Sequence, residues 1–148
     1  MLIRVVFLSI ALASLAKLIF PQMEFDILKQ LAWPGVALFF AGISLRWLAI
    51  AYLGRFFTVE VAIESGHKIV DHGPYRYLRH PSYTGLLLMF LGMGICSANA
   101  FSLLLVLLPV FLALRYRIRI EETVLQDAFG KTYADYAQKT WRMIPFIY

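Results

Sequence analysis

A run of 35 residues, His80 to Leu114, contains no Asp, Glu, Lys or Arg, and it constrains the fold of this chain more than any other feature. A single helix crosses a bilayer core of roughly 30 Å with about 20 residues, so the run is nearly long enough for two spans. Its only polar-leaning cluster lies at 97–99. The run therefore predicts a tight helical hairpin with its tip at 97–99 and with Pro81–Cys96 and Ala100–Arg115 as its two short arms.

The composition argues against most other classes of protein. Of the 148 residues, 61% are hydrophobic and 16% are charged, whereas soluble domains are usually about half apolar and about a quarter charged. A chain this small has too little interior to bury so much apolar surface. The one cysteine, Cys96, rules out an internal disulfide and a cysteine-rich metal site. We therefore expect an integral membrane protein of one domain, residues 1–148.

Two further apolar segments precede the hairpin. Trp33–Leu53 is long enough for a span, although Arg46 interrupts it. The first twenty residues form another, with Arg4 and Lys17 near its ends, where long basic side chains can reach the interface. This first segment also has features of a cleavable signal peptide, but an uncleaved span is the favoured interpretation. The predicted fold class is an all-α integral membrane protein with about four transmembrane helices, of which the third and fourth form the hairpin.

The basic residues indicate which side of the membrane each loop occupies. They cluster in the loop 55–81, with Arg55, Lys68, Arg76 and Arg79, and in the tail, with Arg115, Arg117, Arg119, Lys131, Lys139 and Arg142. By the positive-inside rule, the loop, the tail and both termini of a multi-pass, four-span chain are cytoplasmic. The net charge of +5 is therefore interpreted as a topology feature, and no nucleic-acid partner is expected.

Shorter elements are predicted on the cytoplasmic side. The segment 57–63 alternates loosely and could form a short strand. The helix that begins at Ala100 should continue to Phe129, because Gly130 suits the position after a helix end. A second short helix is predicted at Thr132–Lys139.

The densest polar stretch, 67–83, contains all three histidines, His67, His72 and His80. Their spacings of five and eight, without cysteines, do not favour a metal site. An interfacial belt of basic and aromatic residues is the simplest interpretation. However, Pro81 suits the first turn of a helix, so His80 would cap the third span. The free N–H groups at such a helix end can bind a carboxylate or a phosphate.

A second polar cluster follows the fourth span, at 115–122. Arg117 and Glu121 are four residues apart and therefore lie on one helix face. An intrahelical salt bridge alone is a weak explanation, because such a pair contributes only about 0.2–0.5 kcal/mol and Arg before Glu is the poorer order. The alternating arginines could instead mark a cytoplasmic boundary, which explains Arg115 and Arg119 but not the two adjacent carboxylates, Glu121 and Glu122, beside anionic headgroups.

Together these motifs resemble the isoprenylcysteine carboxyl methyltransferase family, and related phospholipid methyltransferases share part of the pattern. The motifs are GHKIV at 66–70, GPY at 73–75, RHPSYTG at 79–85, RIRIEE at 117–122, FG at 129–130, YADY at 133–136 and IPF at 144–146. The resemblance covers about 90 of the 148 residues, roughly from Phe57 to the C-terminus. The N-terminal spans at 1–54 are predicted from their apolar length and carry no motif of the family. The resemblance implies a cofactor-binding and catalytic core at 55–148, with a cytosolic cofactor-binding loop and C-terminal helices.

The resemblance also implies the site residues. In that family S-adenosylmethionine lies in a cytoplasm-facing pocket roofed by the C-terminal segment. The matching cofactor contacts are His67, Lys68, Ile69, Val70, Tyr75, His80, Pro81, Ser82, Tyr83 and Glu121. Arg117 matches the family's substrate-side arginine, and Glu60 stands where animal members have a glutamine. The implied product is S-adenosylhomocysteine, the implied partners are a lipophilic or lipidated acceptor and membrane lipid, and we expect no metal and a monomer.

The residues themselves suit this chemistry. Glu121 can neutralise an ammonium group, while Tyr75 and Tyr83 offer aromatic faces to an adenine or a sulfonium. Methyl transfer to a carboxylate needs alignment but no general base, and a fixed Arg117 can supply the alignment. Arg117 and Glu121 are therefore the predicted catalytic residues.

Three alternatives remain open at this point. The acceptor could be a phospholipid amine or a hydrophobic thiol. Either would need a general base, and the candidates are His67, His72 and Glu122. The chain could also be a non-catalytic membrane module that binds a lipid or a partner. The leading prediction is an S-adenosylmethionine-dependent methyltransferase acting on a prenylcysteine-like carboxylate.

Overall fold

The computed structural model describes residues 2–54 and 69–148, and these residues are almost entirely helical. The helices are α1 (Leu2–Ile19), α2 (Asp26–Gln30), α3 (Ala32–Leu53), α4 (Pro81–Cys96), α5 (Ala100–Phe129) and α6 (Lys131–Gln138), with short 3₁₀ turns at Pro21–Met23 and Gly73–Arg76. The predicted all-α fold class is confirmed. The strand expected at 57–63 lies outside the described residues.

Three of these helices are long and apolar enough to cross a membrane. Windows within α1, α3 and α5 have mean hydropathies of 2.2, 1.8 and 1.9, and α4 is a shorter apolar helix of 16 residues. Many large apolar side chains point outward: Trp33 is 82% exposed and Phe7 is 69% exposed. Because such side chains need an apolar solvent, this exposure indicates that the helices are surrounded by lipid.

The described residues pack as two compact units. One consists of the chain up to Ser44 together with Gly85–Arg115, and the other of Leu45–Thr84 together with Tyr116–Tyr148. The first unit contains most of the apolar helical surface, and the second contains nearly every residue with predicted chemistry.

Glycines bring α3 and α4 into close backbone contact within the first unit. Gly35 and Gly42 on α3 are seven residues apart, as are Gly85 and Gly92 on α4. A Cβ atom at Gly42 would lie 2.5 Å from the carbonyl oxygen of Gly85 and 2.7 Å from the backbone nitrogen of Met89, and one at Gly92 would meet the carbonyl oxygen of Gly35. Small residues are common at such contacts because helices in lipid associate through close packing rather than through the hydrophobic effect.

The hairpin tip is fixed by one buried asparagine. Asn99 is completely buried, its side-chain amide donates to the carbonyl of Phe20 at 2.9 Å, and its Oδ1 accepts from the backbone N–H of Ser102 at 3.0 Å. The second bond caps the start of α5. Ala98 has a φ of +57°, the left-handed conformation that reverses the chain. The predicted tip at 97–99 is therefore correct.

In the second unit, the chain before α4 lies beside the C-terminal segment, 140–148. Leu78 and Trp141 form a parallel bridge, and the backbone N–H groups of Arg79 and His80 donate to the carbonyls of Trp141 and Arg142 at 2.7 and 3.0 Å. These main-chain bonds join segments that are about sixty residues apart in the sequence.

The predicted helix ends agree closely with the observed ones. α5 ends at Phe129, as expected, and α6 starts and ends one residue earlier than predicted. Between them Gly130 has a φ of +50°, which favours glycine because a side chain there would be strained.

Replacing Gly42 with alanine should destabilise the protein, although alanine normally favours a helix by about 0.5–1 kcal/mol over glycine. The added Cβ would press on backbone atoms of α4, which cannot rotate away as a flexible side chain could. We expect a loss of about 1–3 kcal/mol in the free energy of unfolding, measured by circular dichroism in detergent. Ala41→Val, which adds more carbon at an exposed neighbouring position, is the control. An equal loss in both variants would contradict the close-packing explanation.

Candidate active site

Two adjacent carboxylates on α5, Glu121 and Glu122, organise the polar part of the second unit. They lie beyond the apolar stretch of α5, which ends at Leu114. Their side chains are 19% and 14% exposed. Successive residues of an α-helix point about 100° apart, so each carboxylate meets a different set of partners.

Glu121 accepts hydrogen bonds from a tyrosine and an arginine. Its Oε1 accepts from the hydroxyl of Tyr83 and from Nε of Arg117, the latter at 3.0 Å. Its Oε2 lies 3.5 Å from Nδ1 of His80. Burial alone would raise the pKa of Glu121, but the donors His80, Tyr83 and Arg117 hold that pKa below its usual value. The carboxylate is therefore ionised at neutral pH.

Glu122 pairs with two other arginines. Nε of Arg79 donates to its Oε1 at 2.9 Å, and Nε of Arg142 donates to its Oε2 at 2.8 Å. Nε2 of His80 lies 3.5 Å from Oε1. Burial opposes ionisation, yet His80 and the two arginines lower the pKa of Glu122 to about 2.

His80 stands between these two carboxylates. It is only 7% exposed, and its ring stacks on that of Tyr83 with 5.7 Å between the centroids. Burial favours a neutral imidazole, but Glu121 and Glu122 outweigh it and raise the pKa of His80. Nε2 of His80 lies within ion-pair distance of Glu122 but has no hydrogen bond of good geometry within the described chain. Because α4 begins at Pro81, His80 occupies the capping position that the sequence predicts.

The side chain of Arg79 joins this cluster to the end of α6. Besides pairing with Glu122, its NH1 donates to the carbonyls of Ala137 and Thr140 at 2.5 and 2.6 Å. One guanidinium therefore connects α5, the segment before α4 and the C-terminal segment.

The structure brings several predicted site residues together around the start of α4. Pro81 and Ser82 are buried in its first turn, and the hydroxyl of Ser82 accepts from NH1 of Arg46 at 3.0 Å. Tyr83 projects toward Arg117, whose Cζ lies 6.0 Å from the centre of the tyrosine ring. These residues, with His80 and Glu121, form one continuous polar cluster.

Other predicted site residues lie further from the carboxylates or outside the described chain. Tyr75 is buried in the 3₁₀ turn, where its hydroxyl donates to the carbonyl of Ala49 at 3.3 Å and its carbonyl accepts from Tyr136 at 2.8 Å. Ile69 and Val70 are half-buried at the start of the second described range. Glu60, His67 and Lys68 lie outside the described residues.

A groove of about 820 Å³ lies elsewhere in the second unit. Its lining includes Ile69, Tyr77, Tyr136 and Trp141. Neither Glu121 nor Glu122 belongs to that lining.

The sequence presents Arg79 as part of the 79–85 motif and Arg142 as a basic residue of the tail, but it does not connect either with Glu122. They lie 43 and 20 residues from that carboxylate along the chain, so no local spacing indicates the contacts. Arg46 did carry a sequence signal, because a charge inside an apolar span is costly and usually has a partner. Across residues 2–54 and 69–148, no group of three His, Cys, Asp or Glu side chains is arranged to hold a metal ion.

Comparisons with known proteins identify the family of this chain. The isoprenylcysteine carboxyl methyltransferase family matches residues 35–127. A probable protein-S-isoprenylcysteine O-methyltransferase of Oryza sativa subsp. indica is 34% identical over 135 residues, which cover 88% of this chain and 68% of the rice protein. Protein-S-isoprenylcysteine O-methyltransferase B of Arabidopsis thaliana is 34% identical over 141 residues, covering 92% and 72% of the two chains.

The fold also matches a solved structure of the eukaryotic intramembrane Ras methyltransferase, an isoprenylcysteine carboxyl methyltransferase. The TM-score is 0.83 at 32% identity, and the match covers 95% of this chain and 52% of the other. The chain thus spans about half the length of that solved protein. The family match covers more than half of this sequence, and the predicted enzyme class, a membrane methyltransferase, is confirmed. The chain belongs to the isoprenylcysteine carboxyl methyltransferase family.

Proposed function

We propose that this chain transfers a methyl group from S-adenosylmethionine to the carboxylate of a lipophilic, prenylcysteine-like acceptor. The proposal rests mainly on one observation: an ionised, half-buried Glu121 pairs with Arg117 on α5, and Glu121 also accepts from Tyr83 in the first turn of α4. The carboxylate of Glu121 suits a cationic group of a ligand, and the guanidinium of Arg117 suits an anionic group. The relatives are named as methyltransferases of S-isoprenylcysteine.

The residues present fit the cofactor. Glu121 is an ionised carboxylate that can bind the ammonium group of the methionine part, and Tyr83 offers an aromatic face beside it. Pro81 and Ser82 supply the first turn of α4, whose backbone N–H groups suit a carboxylate. When bound, S-adenosylmethionine supplies an electrophilic methyl group on sulfur and leaves as S-adenosylhomocysteine. Glu60, His67, Lys68, Ile69, Val70, Tyr75 and His80 complete the proposed cofactor contacts.

Arg117 is proposed to hold the acceptor. A guanidinium can bind a carboxylate with two parallel hydrogen bonds and so fix the direction of attack. A carboxylate acceptor is already anionic and needs no general base.

An amine or thiol acceptor has less support. Such an acceptor would need a base, and Glu122, with a pKa of about 2 and two arginine partners, is a weak one. His72 is exposed, and its Nδ1 lies 3.9 Å from Oδ1 of Asp71, which is also exposed. A phospholipid N-methyltransferase, a thiol S-methyltransferase and a non-catalytic lipid- or partner-binding module remain the alternative functions.

Transfer of a labelled methyl group to a panel of acceptors tests the proposal. The purified protein, labelled S-adenosylmethionine and either farnesylcysteine, a phospholipid or an alkylthiol would be mixed in detergent. We expect label on farnesylcysteine that mild base releases, because an ester is base-labile and an N-methyl or thioether group is not. Base-stable label would support one of the alternative acceptors. No transfer, together with no saturable S-adenosylhomocysteine binding by folded protein, would favour the non-catalytic module.

Substitutions at Glu121 and Arg117 should have different effects. Glu121→Gln removes the charge that binds the ammonium, so S-adenosylhomocysteine binding should weaken by about 1.5–3 kcal/mol, measured by calorimetry. Arg117→Ala should leave that affinity near the wild-type value while the transfer rate falls by a factor on the order of 100, because the acceptor loses its alignment. Arg117→Lys should restore only part of the rate, since a point charge cannot make a two-pronged contact.

Arg119→Ala is the matched control for Arg117, because Arg119 is an exposed arginine two residues further along α5. Arg119→Ala should leave both the affinity for S-adenosylhomocysteine and the transfer rate unchanged. If Glu121→Gln and Arg117→Ala weakened cofactor binding equally, the two residues would have to be treated as one structural pair.

We also propose that the termini and the active site face the cytoplasm. In a Cys96→Ser background, a cysteine at Lys139 should be protected from an impermeant thiol reagent in intact cells, because the basic tail should stay inside. A cysteine at Lys29, in the short segment between α1 and α3, should be labelled from outside. The opposite pattern would overturn the proposed orientation.

A further inference from the structure

Glu122 is surrounded by basic side chains, although the proposed function gives it no role. Arg79 and Arg142 each donate to a different oxygen of this carboxylate, at 2.9 and 2.8 Å, and His80 lies 3.5 Å away. Nothing in the proposed reaction uses this residue directly.

Stability alone is a weak reason for such a cluster. Burying several charges together costs desolvation energy, and buried ion pairs can often be replaced by apolar residues without loss of stability. The C-terminal segment is already held by main-chain bonds from Arg79 and His80 to Trp141 and Arg142. The cluster therefore needs another explanation, and the position of His80 provides one.

The ring of His80 links Glu122 to Glu121. One ring nitrogen faces Glu122 and the other faces Glu121, each at 3.5 Å. The same ring stacks on Tyr83, whose hydroxyl donates to Glu121. A displacement of His80 would therefore disturb two of the three donors that orient Glu121.

We propose that Glu122 is a positioning residue for methyl transfer, which holds the imidazole of His80 against Glu121 and so keeps Glu121 aligned for the cofactor. The inference rests on the proposed role of Glu121 in binding the cofactor. Arg79 and Arg142 each bind one oxygen of Glu122, and together they hold the carboxylate in place beside His80.

The charge of Glu122 also affects the protonation of His80. The groups that face the ring are Glu121 and Glu122 from α5 and Tyr83 from α4. Around the two carboxylates lie Arg117 from α5, Arg79 before α4, Tyr133 from α6 and Arg142 from the C-terminal segment. A carboxylate favours the imidazolium, so losing the charge of Glu122 should lower the pKa of His80. Losing the positive charge of Arg142 should instead raise it, because the surroundings of the ring become more negative.

The test compares Glu122→Gln with Arg142→Gln and follows His80 by NMR. Three histidines occur in the chain, so a His67→Gln/His72→Gln background leaves His80 as the only one. We expect the titration of His80 to move down by about one pH unit in Glu122→Gln and to move up in Arg142→Gln. Shifts of opposite sign would show that both charges act on the ring, and an unchanged His80 titration in Glu122→Gln would overturn the proposal.

Binding and kinetics provide the second readout. In the chain with its natural histidines, Glu122→Gln should weaken S-adenosylhomocysteine binding about tenfold and lower kcat on the order of 10–100-fold, with the KM for the acceptor little changed. Glu122→Asp should restore part of the affinity for S-adenosylhomocysteine and part of kcat. Glu24→Gln is the matched control, because Glu24 also lies near two cations, Lys17 and Lys29 at 3.8 and 3.6 Å, and lies in the other unit.

The failure of this inference can be distinguished from failure of the proposed function. If the wild-type protein does not bind S-adenosylhomocysteine, the proposed function fails, whereas the His80 titration needs no cofactor. If the wild type binds it and Glu122→Gln binds equally well, Glu122 does not position Glu121. Should Glu122→Gln not fold, Glu122→Asp decides, because it keeps the charge and shortens the side chain by one methylene. A folded Glu122→Asp protein that binds S-adenosylhomocysteine as tightly as the wild type would overturn the proposal.

Discussion

The charges around Glu121 and Glu122 are the interaction on which the rest of the second unit depends. A buried carboxylate is tolerated only when cations and donors replace the water that it loses. Here those partners come from three separate segments: Arg79 and His80 before α4, Arg117 on α5 and Arg142 near the C-terminus. The ion pairs and hydrogen bonds of Glu121 and Glu122 therefore hold these separate segments of the second unit together.

The two carboxylates differ in what remains available to a ligand. Glu122 has an arginine on each oxygen, and Arg79 is itself held by two carbonyls. Glu121 has a tyrosine, a histidine and the partly exposed Arg117 as neighbours. A cationic ligand can compete for Glu121 more easily than for Glu122. Neighbouring positions on one helix can thus serve different purposes because they point in different directions.

The first unit depends on packing rather than on charge. In lipid, apolar side chains gain little by leaving their surroundings, so helices associate where backbones can approach closely. Gly42 and Gly92 allow this approach between α3 and α4, and Asn99 fixes the hairpin tip through hydrogen bonds to Phe20 and Ser102.

The sequence by itself determined the four long apolar helices, the short helix α6, the hairpin tip and the placement of Arg117 and Glu121 on one helix face, but not the short helix α2. Each depends on local properties: apolar length, a proline or glycine at a helix end, and a spacing of four on one helix face. Only the tertiary structure decided that Glu122 meets Arg79 and Arg142 and that His80 stands between the two carboxylates. These contacts join residues 20 to 43 positions apart, and their existence depends on the path of the chain rather than on any local pattern.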